Sequence, residues 1–373
     1  MPGLKDPSLF TEEKEIERVL RQHLAQIKVI GIGGAGNNTI HRLKEAGVHD
    51  TRLIAINTDA ADLLKIKADH KILIGQKLTN GLGAGADPRV GEDAANETID
   101  AIKNAVQDAD VVFITCGLGG GTGTGAAPIV AQVVKECGIL GVGIVTLPFS
   151  AEGQQRMKNA QQGLNRLKEN IDTLVVLPND KLMEIIPDVP IKTAFMVSDE
   201  VLINAVKGMA ELVTKPGLIN VDFADVKAVM KKGGLGVIGI GESSSENRQQ
   251  ESFDKAIHNP LLAVEIRNAK NALVNVTGGE DLTLHQAHDV VQMVSDQLDP
   301  DAKVIWGAHI EEKMKNTMRV MIVVTGIPVD TFKYKKKTNN INQERKEPLE
   351  VEEISMEELG EEYGLEVIVP SSI

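Results

Sequence analysis

Residues 116 to 128 read "CGLGGGTGTGAAP", and the nine positions from Gly117 to Gly125 hold six glycines. Glycine weakens strands and helices alike, because it loses the most backbone freedom on folding. A chain that sets six together, directly after the apolar run "DVVFITC", needs bare backbone there. Something must come closer to this loop than a side chain would allow.

The surrounding pattern supplies the frame. From residue 27 onward, short runs rich in Val and Ile alternate with turns and helical stretches. "IKVIGIG", "RLIAINT", "HKILIG", "DVVFITC", "GVGIVTLP" and "TLVVLP" are apolar on both alternating faces, as strands covered by helices on both sides are. That rhythm predicts a parallel, doubly wound α/β sheet over 27–191. A helix is expected around 90–107, and the helix after the opening loop is expected to start beyond Gly125, with Pro128 in its first turn. A long helix over about Lys192–Thr214, stopped by "KPG", and the loop after it make a connecting segment, 192–225. "GVIGIGE", "ALVNVTG", "KVIWGAHI" and "RVMIVVTG", with helical stretches near 246–258 and 283–298, predict a smaller α+β domain with a mixed sheet over 226–330.

The two ends differ from this body. Residues 1–26 read as a charged helical extension. Residues 331–373 run from a lysine cluster through a polar spacer to an acidic block, a composition that cannot offset its ordering entropy by burial. They are expected to be disordered. Their apolar end, "LEVIVP", reads as a docking peptide or as a strand added to its own domain.

The net charge of −13 argues against a general nucleic-acid binder and against attachment to anionic lipid. No segment qualifies as a membrane span, and the charged N-terminus is not a signal peptide. Cys116 and Cys137 have no metal or disulfide spacing, which fits reduced thiols in a cytoplasmic protein. His285 and His288 share a helix face without a third ligand, so a solvated face is the reading there. Trp306 is expected to pack.

The chemistry lies in the loops. "GIGGAG", Gly31–Gly36, follows a strand and opens a helix, and Asp59 stands 23 residues after Gly36. This is the dinucleotide fingerprint, and it raises an NAD-dependent oxidoreductase as one reading. The opening loop argues otherwise. It is a second glycine-fed helix N-terminus, whose free N–H groups bind phosphate, and Thr122 and Thr124 add hydroxyls. No Gly-Lys-Ser/Thr follows, so phosphate charge must be met by dipoles and a metal ion rather than a loop lysine. "GLGAGADP" is a third such loop, and three together suit a triphosphate better than a dinucleotide.

"GGGTGTG", Gly119–Gly125, resembles the signature of the tubulin/FtsZ family of polymerising GTPases. "GIGGAGNN", "NTDA", "GLGAGADP", "PFSAEGQQR" and "NVDFAD" continue the resemblance in the family's order over roughly 27–330, in detail closer to FtsZ than to tubulin, with an archaeal cast to the N-terminal helix. The resemblance implies GTP/GDP with Mg2+ on the phosphates and no protein metal ligand. It implies that Gly34, Ala35, Gly36, Asn37 and Asn38 contact phosphates and neighbouring groups, and that Gly121, Thr122 and Gly123 form the central cradle. Asn57, Thr58, Asp59 and the Gly83, Ala84, Gly85 loop would lie beside the sugar and terminal phosphate. Glu152 and Arg156 match positions near ribose and phosphates, although at i, i+4 they also fit an ordinary helix ion pair. Phe195 would stack on guanine, and Asp199 would accept hydrogen bonds from the base N–H and amino groups, which adenine lacks.

"NVDFAD" supplies Asn220, Asp222 and Asp225, implied to act in hydrolysis; by themselves the aspartates also suit a helix cap and first turn. A helix of 23 residues from Lys192 spans about 34 Å at 1.5 Å per residue. With the base held at its start, the aspartates past its end cannot reach their own nucleotide, and the expectation is a head-to-tail filament in which they act on the next subunit. The resemblance further implies a division ring at mid-cell and adaptor proteins on the tail, without membrane insertion. A scaffold or cell-shape regulator of the same fold, with little turnover, is the other reading.

Overall fold

The computed structural model of the chain describes residues 25–48, 51–181, 190–214, 219, 221–259, 262, 266–267 and 269–327. Apart from Ala25 and Gln26, the N-terminal extension of the sequence reading lies outside these residues, as does the C-terminal tail.

Strand β1 (Ile27–Ile32) is buried along its whole length and runs into helix α1 (Gly33–Glu45). Then come β2 (Thr51–Asn57), α2 (Ala60–Lys65), β3 (His70–Leu73), α3 (Gln76–Thr79), α4 (Pro88–Glu97), α5 (Ile99–Val106) and β4 (Val111–Gly117). Helix α6 (Thr122–Glu136), β5 (Leu140–Leu147), α7 (Gln154–Asn170) and β6 (Thr173–Pro178) complete the first half, and α8 (Ile191–Thr214) leads out of it. Strand residues alternate between two cores. Ile27 and Val29 join Leu53, Phe113 and Val142 beneath α1 and α8, while Ile30 and Ile32 join Ile54, Ile114 and Val145 on the opposite face with α4 to α7. Burial on both faces is what the Val/Ile runs require.

The second half holds α9 (Phe223–Met230), β7 (Gly234–Ser243), α10 (Arg248–Ile257), β8 (Asn271–Gly278), α11 (Leu284–Ser295), β9 (Lys303–Ile310) and β10 (Met318–Thr325). The sheet order is β3-β2-β1-β4-β5-β6-β7-β10-β8-β9. Neighbours are parallel from β3 to β7, β10 is antiparallel to both β7 and β8, and β8 is parallel to β9. The two sheets of the sequence reading are joined at β6 and β7, where Thr173, Leu174 and Val175 pair with Gly234, Leu235 and Gly236. Helix α8 seals the joint: Val201, Ala205 and Met209 share one core with Val175 and with Ile238, Met321 and Val323.

Two local expectations change. The helix expected around 90–107 is two helices, broken at Thr98, whose hydroxyl donates to the Ala94 carbonyl (3.2 Å) and accepts from the Gly75 N–H (3.1 Å). Helix α6 begins at Thr122 rather than beyond Gly125, since the Gly125 N–H already bonds the Gly121 carbonyl at 2.9 Å. Pro128 therefore lies inside the helix and not in its first turn. Trp306 packs against the β8–β10 core, as expected.

Gly125 fixes how closely α4 lies on α6. A Cβ there would stand 1.9 Å from the Pro88 carbonyl oxygen and 2.6 Å from the Glu92 nitrogen, both main-chain atoms. In an exposed helix Gly→Ala stabilises; here Gly125→Ala should destabilise by about 3 kcal/mol through overpacking. Chemical denaturation of the two proteins checks the sign.

Candidate functional site

The chain winds outward from β1 toward β3 and, in the other direction, from β4 toward β6. The crevice beyond the carboxyl ends of β1 and β4 is thus the topological switch point, where open α/β sheets bind ligands. Two helix N-termini open onto it, α1 at Gly33 and α6 at Thr122. Their first turns carry no acidic residue, leaving free N–H groups and the positive ends of two dipoles.

Close main-chain packing draws the loops together. A Cβ on Gly36 would meet the Thr115 carbonyl oxygen at 2.4 Å, one on Gly123 the Gly117 oxygen at 2.7 Å, and one on Gly121 the Ala84 Cβ at 2.8 Å. The Thr58 and Thr122 hydroxyls share a 2.7 Å hydrogen bond. The Gly83 N–H donates to the Thr58 carbonyl (3.2 Å), and the Ala60 N–H to that of Gly81 (3.0 Å). All three glycine loops of the sequence reading, with the "NTD" turn, therefore form one cluster. Within it Asp59 caps α2 by accepting from the Asp62 N–H (3.0 Å). Asn57 accepts from the Thr58 N–H (2.9 Å) and donates to Asp62 (2.8 Å), so its amide is engaged in its own turn.

Two glycines have no such internal reason. An added Cβ on Gly34 or Gly120 meets nothing within 4 Å, and neither has a left-handed φ. Buried beside them, Asn37 has both side-chain polar atoms without a partner among the described residues. Bare backbone facing open space, two helix dipoles and an unsatisfied amide are the features an anionic ligand would complete.

Glu152 and Phe195, expected from the resemblance near sugar and base, are brought together through Phe149. Glu152 accepts from the Phe149 N–H at 2.8 Å and pairs with Arg156, so the i, i+4 ion pair of the sequence reading is present. Ser150 bonds Asp180 just beyond β6 through its N–H (2.8 Å) and its hydroxyl. On α8, Phe195 is 43% exposed and meets Phe149 edge-to-face, with ring centroids 5.1 Å apart. Asp199, one turn along, receives no hydrogen bond from the described residues, and burial pushes its carboxyl up to about 6, against the opposing pull of Arg42. A half-buried carboxylate without donors suits a ligand that brings them. Phe149 was not singled out from the sequence; its place in "PFSAEGQQR", beside Glu152, was the available signal.

The "NVDFAD" residues lie elsewhere. Asp222 caps α9, accepting from the Ala224 N–H at 3.0 Å, and both Asp222 and Asp225 are exposed. Asp225 pairs with Lys303 (3.4 Å) at the start of β9, the outermost strand on the side away from β3. The far end of α9 reaches the start of β6, where the Met230 carbonyl accepts from the Thr173 hydroxyl. Asn220 lies outside the described residues. Among the described residues no group of acidic, His or Cys side chains could hold a metal, and His285 pairs with Asp289 at 3.7 Å. No helix among them is long and apolar enough to cross a membrane. Cys116 is buried, and burial pushes its thiol up to about 12.

Residues 26–187 match the tubulin/FtsZ family, GTPase domain, and residues 234–328 match the FtsZ family, C-terminal domain. The chain belongs to the FtsZ family. It is similar to cell division protein FtsZ 1 of Methanocaldococcus jannaschii, 60% identical over 319 residues, covering 86% of this chain and 88% of the relative. FtsZ 1 of Thermococcus kodakarensis is 52% identical over 329 residues, covering 87% of this chain and 88% of the relative. Among solved structures, an empty FtsZ dimer from M. jannaschii superposes with a TM-score of 0.82 at 61% identity, covering 84% of this chain and 92% of that one. The switch-point cluster lies within the stretch that matches the GTPase domain, and the oxidoreductase reading of Gly31–Gly36 is set aside.

Alanine at Gly34 or Gly120 enters open space, so both variants should keep the wild-type melting temperature while GTP affinity falls at least about tenfold, since a methyl would block close approach of phosphate. Calorimetric titration beside a thermal melt separates the two effects.

Proposed function

We propose that this chain is a GTP-hydrolysing subunit of a cell-division filament, assembled head to tail, in which hydrolysis is completed by the Asp222/Asp225 loop of the adjacent subunit. The observation that carries this reading is the separation of the two halves of the machinery. Phe195 and Asp199 lie in the second and third turns of a 24-residue helix, and Asp222 and Asp225 lie beyond its other end. At 1.5 Å per residue that helix is about 36 Å long, and about 22 Å of it separates Asp199 from its far end at Thr214.

In the ligand-binding half, the N–H groups of Gly34, Ala35, Gly36 and of Gly121, Thr122, Gly123 would hold the phosphates, with Asn37 and Asn38 beside them. Thr58, Gly83, Ala84 and Gly85 would border the terminal phosphate, while Asn57 and Asp59 keep that turn in shape. Glu152 and Arg156 would face the ribose. Phe195, backed by Phe149, would stack on the purine, and Asp199 would accept from guanine. Mg2+ on the phosphates would supply charge that no loop lysine offsets.

In the other half, a cap position keeps the Asp222 carboxylate at an exposed loop, and Asp225 is held at the surface by Lys303. Docked over a neighbour's phosphates, the two would orient the attacking water, with Asn220 assisting; phosphoryl transfer depends mainly on positioning and electrostatics. Such a contact is heterologous and generates an open filament when its rotation does not close. The likeness to a dimeric FtsZ structure supports self-association. Relatives named as cell division proteins support a role in division; a cytoplasmic ring at mid-cell, with adaptor proteins engaging the tail, completes the reading.

Asp222→Ala should bind GTP with unchanged affinity and hydrolyse it at least about a hundredfold more slowly. Wild-type turnover per molecule should rise above a threshold protein concentration, in step with sedimentable polymer. A rate per molecule that stays flat across the threshold would remove the shared-site reading.

A further inference from the structure

Beside the site lies a buried ion pair that the reading above does not use. Arg42 on α1 donates to the Glu200 carboxylate on α8. Glu200 is fully buried and Arg42 keeps 23% of its side-chain exposure. Burying a carboxylate is costly unless it is paired, and a pair of this kind is often no more stabilising than well-packed apolar side chains. Its location gives it a use.

Helix α1 begins in the phosphate cradle, and Asn38 and Arg42 stand four residues apart on one of its faces. Glu200 directly follows Asp199 on α8. The residue before Asp199 is tied as well: the Ser198 hydroxyl donates to Asn179 at 2.7 Å, in a buried contact just beyond β6. Asp199 is therefore bracketed, held from one side by the end of β6 and from the other by the helix that starts at the phosphates.

We propose that Arg42 and Glu200 are positioning residues for base recognition, fixing the Asp199 carboxylate relative to the glycine cradle, so that the pair sets the preference for guanine. The inference rests on the assignment of Asp199 to the base. Arg42 from α1 and Glu200 from α8 itself are the charged groups that act on the Asp199 carboxyl, in opposite directions, with Arg42 the stronger. Losing Glu200 leaves the arginine unopposed. Losing both removes the net favourable charge.

The test is the ratio of GTP to ATP affinity in the full chain between pH 5 and 8. Because both triphosphates carry the same titrating phosphates, the ratio isolates the base contact. In the wild type it should hold at neutral pH and fall about tenfold per unit below a midpoint near 6, as Asp199 protonates and loses its acceptors. Glu200→Gln, which keeps a hydrogen bond to Arg42, should move the midpoint down. The double variant Arg42→Met, Glu200→Leu fills the same volume with apolar groups and should move it up, lowering guanine preference at pH 6.5. Opposite shifts from the two variants are not expected of a purely structural pair, which would weaken both nucleotides alike. If both variants retain the wild-type midpoint and ratio, the positioning role is wrong. If instead Asp199→Asn shows the same ratio and pH profile as the wild type, the base assignment itself fails.

Discussion

The site depends on main chain meeting main chain at distances that exclude a β-carbon. Gly36 against Thr115 and Gly91 against Gly121, with Gly121 also against the Ala84 methyl, bring three loops from different parts of the sequence to one point above β1 and β4. Larger residues would push these loops apart by more than an ångström, and neither the Thr58–Thr122 hydrogen bond nor the shared opening of two helix N-termini would survive. The conformational entropy spent on so many glycines is offset by a preorganised bed of N–H groups that needs little rearrangement on ligand binding. Gly34 and Gly120 mark where that bed faces outward.

A second constraint acts over a longer range. Helix α8 is packed against both halves of the sheet through one continuous core, so its two ends keep a fixed separation. In the proposed reading base recognition belongs to one end, and the capped Asp222 loop lies beyond the other. In the proposed filament that rigidity makes each subunit an incomplete enzyme, and GTP hydrolysis becomes a property of the contact between two molecules. The buried Arg42–Glu200 pair ties the same helix to α1, which opens at Gly33, and in the proposed reading this links base grip and phosphate grip within one subunit.

Much of this was legible in the residues because glycine, the apolar period and helix stop signals are local. The six glycines before α6, the parallel Val/Ile strands and a helix ending at Thr214 follow from short-range rules. Asp222 as a helix cap was readable in the same way. What could not be read depends on partners distant in the chain. Arg42 and Glu200 are 158 residues apart, and nothing in either neighbourhood names the other. The same holds for Phe149 behind Phe195 and for the junction of β6 with β7. Pro128 misled because proline favours a first turn, whereas here the Gly125 N–H already closes a helical hydrogen bond with Gly121. Thr98 broke one expected helix into two because its hydroxyl also answers the Gly75 N–H, a tertiary demand that periodicity does not encode.

The shared active centre is tested most directly by mixing two disabled proteins. One carries Asp222→Ala and keeps its nucleotide site; the other carries Gly34→Leu, which fills the cradle and keeps the Asp222 loop. A split site predicts that the mixture hydrolyses GTP at a rate neither protein reaches alone, rising with the proportion of mixed contacts. A mixture no faster than the sum of its two parts would place the whole reaction within one subunit and contradict the account.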